Sequence, residues 1–250
     1  METVKFNNQW TNNLFPQGFP IRTTTIISGP GGSGKPLIGY IFASDWLNAG
    51  GQVVFLLAST TVDYFKKSML MLDVDPDNFP EQVYMIELDP TINDLQIISA
   101  NHIKANFVIP ENWDKALTVA NQFFAQKENK LGMMVSGAAL NLLFFSKTYG
   151  QLIHKKIKEY IIQNTDKTLF FSVNSDAFKP LVEELENIVD ILLFSEMRKP
   201  MTLFLQVQKA KEVAFFDQEV KVPLSSEILD SIKHEAEKGK THLIPMIKNI

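Results

Sequence analysis

The sequence predicts an α/β protein: a mostly parallel central sheet flanked by helices in three layers, extended near its C-terminal end by an antiparallel edge. Short apolar runs of strand length alternate with amphipathic helical patterns through most of the 250 residues, as strands joined by crossover helices require. Residues 53–57 (Val-Val-Phe-Leu-Leu) are apolar throughout, which suits a strand covered on both faces. Between residues 201 and 222 the pattern changes to closely spaced strand-like segments joined by short polar turns, which favours hairpins.

Taken in order, residues 24–28 form a β-rich run that ends in a glycine cluster. Leu37, Ile38, Ile41, Phe42 and Leu47 then recur at helical spacing up to Gly50 and Gly51, which supply a stop. Residues 53–57 are the next strand. Residues 60–63 are a capping-box candidate ahead of a helix carrying Val62, Phe65, Met69 and Leu72. Residues 83–88 are a strand, and residues 93–110 form the least regular connection. Pro110 opens a helix marked by Trp113, Ala116, Leu117, Ala120, Phe123 and Phe124, ending in a charged turn at residues 127–130. A short strand at 133–136, a long helix from Tyr149 to Ile161, a strand at 169–173, a helix around Phe178 to Leu185 and a strand at 190–194 complete the core. Segments 201–208, 212–216 and 219–222 make the antiparallel edge. No repeat or linker interrupts the chain, so residues 1–250 are expected to form one domain with its core at about 13–222. Residues 223–250 are read as a C-terminal helix and a loose tail after residue 241.

Composition removes several function classes. Zero cysteines exclude disulfides, thiolate zinc sites and cysteine nucleophiles. The four histidines, His102, His154, His234 and His242, lie too far apart for a local metal motif. No apolar stretch approaches the ~20 residues of a membrane span, and the first ten residues lack a signal-peptide core. A cytoplasmic protein with no membrane association is therefore expected. A formal charge of −4, from 24 basic and 28 acidic side chains, gives no electrostatic footprint for nucleic acid.

Four of the 12 glycines fall within residues 29–34. The stretch Gly29-Pro30-Gly31-Gly32-Ser33-Gly34-Lys35-Pro36 matches the phosphate-binding pattern G-x-x-x-x-G-K-[ST] at seven of eight positions. Glycines let backbone N–H groups wrap phosphate oxygens, the following helix adds its positive end, and Lys35 is placed to reach the outer phosphates. The eighth position is anomalous. Ser or Thr there supplies a hydroxyl to Mg²⁺ and an amide towards the phosphates, and Pro36 has neither. Proline also biases its predecessor away from helical geometry, which predicts that Lys35 is pulled out of the first turn. Each lost hydrogen bond to a charged group costs about tenfold in affinity.

The segment Phe15-Pro16-Gln17-Gly18-Phe19-Pro20, a short strand, and then Ile27-Ser28-Gly29-Pro30-Gly31-Gly32-Ser33-Gly34-Lys35 resembles the entry of the KaiC/RadA-like branch of the RecA superfamily of P-loop ATPases, over about residues 13–222. The resemblance implies a RecA-like three-layer fold. Members place two glutamates after the second core strand to activate water; here Ser59 and Thr60 hold those positions. Their Walker B strand ends in aspartate, and the matching stretch Leu131-Gly132-Met133-Met134-Val135-Ser136-Gly137 has Ser136 there. Serine does not replace a carboxylate that holds hydrated Mg²⁺. Other carboxylates, Asp89, Asp94, Asp166 or Asp176, are candidates to stand in. Family members also carry a lysine and an arginine two residues apart that reach a neighbouring subunit's nucleotide. Val207-Gln208-Lys209-Ala210-Lys211-Glu212 resembles that stretch, with Lys209 and Lys211 as the trans-acting pair; two solvated lysines on an edge strand is an equal reading.

The resemblance therefore implies a catalytically degenerate member, a pseudo-ATPase with no catalytic residues. It would act as a regulatory or assembly subunit of signal-transduction type, binding ATP weakly through residues 29–36 and not holding Mg²⁺ in the usual way. Its expected partners are copies of itself or an active paralogue. The alternative is an active ATP-hydrolysing relative working in DNA recombination or repair, with single-stranded DNA as partner. Blander expectations cover the rest: His154, Lys155, Lys156 and Lys158 as the wet face of the long helix, the pairs Phe123-Phe124, Phe144-Phe145 and Phe170-Phe171 as core, and one ring of Phe215-Phe216 pointing outward.

Overall fold

A computed structural model describes residues 1–125, 131–137, 144–164 and 166–234. Its elements are β1 (Thr3–Val4), α1 (Gln9–Leu14), β2 (Phe19–Pro20), β3 (Thr24–Ser28), α2 (Lys35–Asn48), β4 (Gln52–Leu57), α3 (Val62–Leu70), β5 (Val83–Leu88), β6 (Leu95–Ser99), β7 (His102–Ala105), α4 (Pro110–Phe124), β8 (Gly132–Ser136), α5 (Gly150–Gln163), β9 (Thr168–Ser172), α6 (Lys179–Ile188), β10 (Ile191–Arg198), β11 (Thr202–Ala210) and β12 (Val220–Lys221). A helical segment at residues 226–234 closes the described chain. The expected turn at 127–130 and the tail after 241 lie outside the described residues.

Strands β1 and β2 form a small antiparallel pair, and the other ten make one sheet in the order β12-β11-β10-β3-β9-β8-β4-β5-β7-β6. From β10 to β7 every neighbour is parallel. Both margins are antiparallel: β11 and β12 on one side, β6 against β7 on the other. The α/β class and the C-terminal antiparallel edge are as expected. Alternation along each strand splits the interior into two cores. Ile27, Phe55 and Phe170 face the layer built by α1, α2 and α3, whereas Ile26, Leu56 and Phe171 face α4, α5 and α6. On the first face the rings of Phe19, Phe42 and Phe170 meet at centroid distances of 5.1–5.4 Å, which ties β2 to α2 and to the middle of the sheet. Helix α2 is apolar nearly all round because it is buried nearly all round.

Several expectations change. The irregular connection at 93–110 contains the β6–β7 hairpin. Its pattern was hidden by a bulge between Ile97 and Ser99, which breaks the period-two alternation and leaves Ile97 and Ile98 both exposed. Residues 212–216 are not a strand: Lys211 N–H donates to Asp190 O and Phe216 N–H to Leu14 O, so this segment docks on neighbouring loops rather than on β11. Phe216 is nevertheless the outward ring, with Phe215 packed on the core. His154 does not lie on the wet face; it is buried, with Nε2 3.1 Å from Leu181 O and its ring edge-on to Phe144. Its neighbours Lys155, Lys156 and Lys158 pair with Glu159, Asp114 and Glu184.

Candidate functional site: the loop between β3 and α2

Strand β3 lies inside the sheet between β9 and β10, and its carboxyl end opens into the glycine loop. The chain must turn sharply there without side chains. A Cβ on Gly29 would overlap the carbonyl oxygen of Ser195 on β10 and lie 2.8 Å from Ser33 Oγ. Gly34 caps α2 in the left-handed region, φ 67°, with its would-be Cβ 3.0 Å from a Leu203 methyl. Gly32, at φ 80°, faces open space. The exposed crest of the loop is therefore Gly31–Gly32, above buried Ser33 and Lys35.

Lys35 is the first residue of α2, so the expectation that Pro36 displaces it from the first turn is wrong. Proline at a helix's second position loses only an amide that has no partner inside the helix, and its fixed φ suits the turn. The Lys35 side chain is 5% exposed and folds back on its own loop. Its ammonium donates to Gly29 O at 2.8 Å, Pro30 O at 2.5 Å and Ser33 Oγ at 3.0 Å, and Ser33 Oγ lies 3.1 Å from Ser195 Oγ.

The loop after β9 completes one wall. Ser175 N–H donates to Gly29 O at 3.0 Å, and an oxygen of the Asp176 carboxylate accepts from Gly31 N–H at 3.4 Å. Of the four stand-in carboxylates, only Asp176 touches the loop. Asp89 accepts from the amide and hydroxyl of Thr91, and Asp94 is exposed and paired with Lys115. Asp166 lines a cavity of about 360 Å³ at the opposite, amino-terminal end of the strands, beside Lys167, whose ammonium burial holds below the usual lysine range against the opposing charge of Asp166.

The carboxyl end of β8 meets the start of α2 at Gly137. A Cβ there would stand 3.2 Å from Pro36 Cβ and 3.5 Å from the Tyr40 hydroxyl oxygen. Ser136, one residue earlier, is 1% exposed, and its Oγ has no hydrogen-bond partner among the described residues. Ser59 Oγ donates to Gly137 O at 3.3 Å, and Thr60 Oγ1 to Thr61 O at 3.4 Å. Pro36, Ser59 and Gly137 are thus gathered in one place, with Ser136 the residue before Gly137 on β8, and none carries a carboxylate. These residues do not fit a hydrated Mg²⁺, because Pro36 has no hydroxyl, Gly137 has no side chain and a lone serine hydroxyl is a poor ligand for a hard dication. The loop crest does fit a phosphate, with a free face at Gly32 and helix α2 behind it.

Lys209 and Lys211 lie elsewhere. β11 runs antiparallel to β10, so its end at Ala210 sits beside Ile191, remote from the chain's own loop. The Lys209 ammonium caps the end of α6, 3.4 Å from Glu186 O and 3.2 Å from Asn187 O.

Sequence reasoning missed Glu87. It is the next-to-last residue of β5 and lines a pocket of about 300 Å³ with Thr60, Thr61, Asp89 and Thr91. One Glu87 oxygen accepts from Val62 N–H, the amide that opens α3, and lies 3.3 Å from His102 Nε2; the other is 3.7 Å from Lys104 Nζ. Burial opposes its ionisation, but the nearby His102 ring, the Val62 amide and the charge of Lys104 prevail, holding the carboxyl below the usual glutamate range. A lone carboxylate in the otherwise apolar run Val-Tyr-Met-Ile-Glu-Leu was the available signal.

No protein-family model matches the chain, and no curated protein matches it. Among solved structures it is similar to a KaiC-like protein from the hyperthermophilic archaeon Pyrococcus horikoshii. The two share 13% identity with a TM-score of 0.68, covering 90% of this chain and 96% of the other. No helix among the described residues is long and apolar enough to cross a membrane. The fold is the RecA-like fold of KaiC-like proteins.

Proposed function

We propose that this chain is a nucleotide- or phosphate-binding member of the KaiC-like group that has lost ATP hydrolysis and serves as a regulatory or assembly subunit. The observation that carries this reading is the contact between Pro36 and Gly137. On the resemblance, Pro36 takes the place of the loop hydroxyl and Ser136, the residue before Gly137, that of the strand carboxylate that would hold Mg²⁺, and neither Pro36 nor Gly137 carries a side-chain oxygen. The glycine crest, the helix behind it and Lys35 still favour an anion. Weak ATP binding follows, independent of Mg²⁺, with assembly into homo-oligomers or with an active paralogue as the route to function.

Calorimetric titration of ATP with and without Mg²⁺, on wild type and Lys35→Ala, tests this. Binding insensitive to Mg²⁺ and weakened by Lys35→Ala is expected. Mg²⁺-dependent turnover abolished by Lys35→Ala would overturn it.

A second reading, an active ATPase acting in DNA recombination or repair, draws support from Glu87, an ionised carboxylate beside Thr60 and Thr61. It requires turnover that Glu87→Gln abolishes and single-stranded DNA binding that weakens steeply with salt.

A further inference from the structure

Resting on that reading, we propose that Asp176 is a resident anion on the phosphate loop and sets the affinity of the site for phosphate ligands. The loop after β9 is stitched to the glycine loop at two adjacent points of opposite polarity. Ser175 gives an amide to Gly29 O, and Asp176 takes the amide of Gly31 with its carboxylate. The Asp176 carboxylate is positioned by its own loop, since Asp176 N–H donates to Asn174 Oδ1 at 3.0 Å and Ala177 N–H to Asn174 O at 3.2 Å. The Asn174 side chain lies alongside, its amide nitrogen 3.7 Å from where a Gly31 Cβ would be, an ordinary contact distance.

Gly31 N–H belongs to the exposed crest of the loop, the face an incoming phosphate uses. A carboxylate on that amide does what a phosphate oxygen does: it accepts a hydrogen bond from a main-chain donor and brings negative charge to the front of α2. The two anions exclude each other, because they compete for one donor and repel at contact distance. Phosphate binding therefore requires the Asp176 side chain to leave. Its loop leads directly into α6, which begins at Lys179, so occupancy of the site is coupled to the position of residues 174–178. That segment is the part of the fold a partner would read as loaded or empty.

Pyrophosphate binding by isothermal titration tests this on wild type, Asp176→Asn, Asp176→Ala and a remote control, Asp166→Asn, with thermal melts establishing that each variant is folded. Asp176→Ala is expected to bind about two- to fivefold more tightly than wild type, the worth of one long, exposed interaction of a charged group. Asp176→Asn, which keeps an acceptor but loses the charge, falls between them, and Asp166→Asn is unchanged. Hydrogen exchange of residues 174–178 in the wild type should speed up on adding pyrophosphate. If wild type binds pyrophosphate and Asp176→Ala binds it no more tightly, Asp176 is not the resident anion, and the phosphate-binding reading stands. If wild type and Asp176→Ala both fail to bind at millimolar pyrophosphate, both ideas fall.

Discussion

Replacing Lys35 by methionine keeps an unbranched apolar stem of the same length up to Cε and deletes the ammonium. Three acceptors are then released: Gly29 O, Pro30 O and Ser33 Oγ, at 2.8, 2.5 and 3.0 Å in the wild type. Hydrogen bonds from a charged group contribute about 1.5–3 kcal/mol each, so the three sum to about 4–9 kcal/mol before costs. Burying the ammonium costs several kcal/mol, and the freed carbonyls regain water at the edge of an exposed loop. A net loss of about 3 kcal/mol remains. For a chain of this size each kcal/mol moves the melting temperature by about 2–4 °C, so Lys35→Met should melt about 6–12 °C below wild type in ligand-free buffer. Differential scanning calorimetry reads this directly. Lys211→Met, at an exposed lysine, is the comparator and should stay within about 0.5 kcal/mol. If Lys35→Met melts within about 2 °C of wild type, the ammonium does not hold the loop, and its inward geometry carries no energetic weight.

Four other outcomes are expected. Gly29→Ala drives a methyl into Ser195 O and should cost about 1–3 kcal/mol by chemical denaturation, with a normal circular dichroism spectrum; an unchanged midpoint would mean β3 and β10 separate easily at that point. Ser136→Ala removes a buried hydroxyl without a described partner and should be neutral or stabilising by about 1 kcal/mol; a loss above that would reveal a partner. Glu87→Gln should lower stability at neutral pH. Because the folded carboxyl titrates below its unfolded value of about 4.3, its contribution is full above that pH and disappears as pH falls through the lower folded value, so wild type and variant should converge in acid; parallel curves would refute the ion cluster. Pro36→Thr restores an amide and a hydroxyl and should raise ATP affinity about tenfold by calorimetry, an outcome that fails if the loop never meets phosphate.

What the sequence made legible was local. The glycine loop declares itself because its chemistry sits in consecutive residues between a strand and a helix, and the strand at Thr24–Ser28 agrees with prediction at both ends. The β6–β7 hairpin was opaque because Ile97 and Ile98 lie side by side at a bulge, which mimics neither period. His154 reads as polar in a basic tract, yet its helix turns it onto Leu181 O. Glu87 and Asp176 act through pairings 25 and 145 residues away, with Val62 and Gly31, and single-sequence spacing carries no information at that range. The contact of Pro36 with Gly137 is of the same kind. The motif identified Pro36, and only the seating of α2 over the end of β8, two strands from β3 across β9, brought Gly137 within reach.

The inward fold of Lys35 has a kinetic consequence. An anion arriving at the crest meets a lysine already committed to Gly29, Pro30 and Ser33, so capture needs the side chain to release before it can reach outward. Association then has an opening step that concentration does not accelerate. In a stopped-flow experiment the observed rate would rise with ligand and level off at the frequency of that release, and the plateau, rather than the affinity, would report how tightly the empty loop is latched.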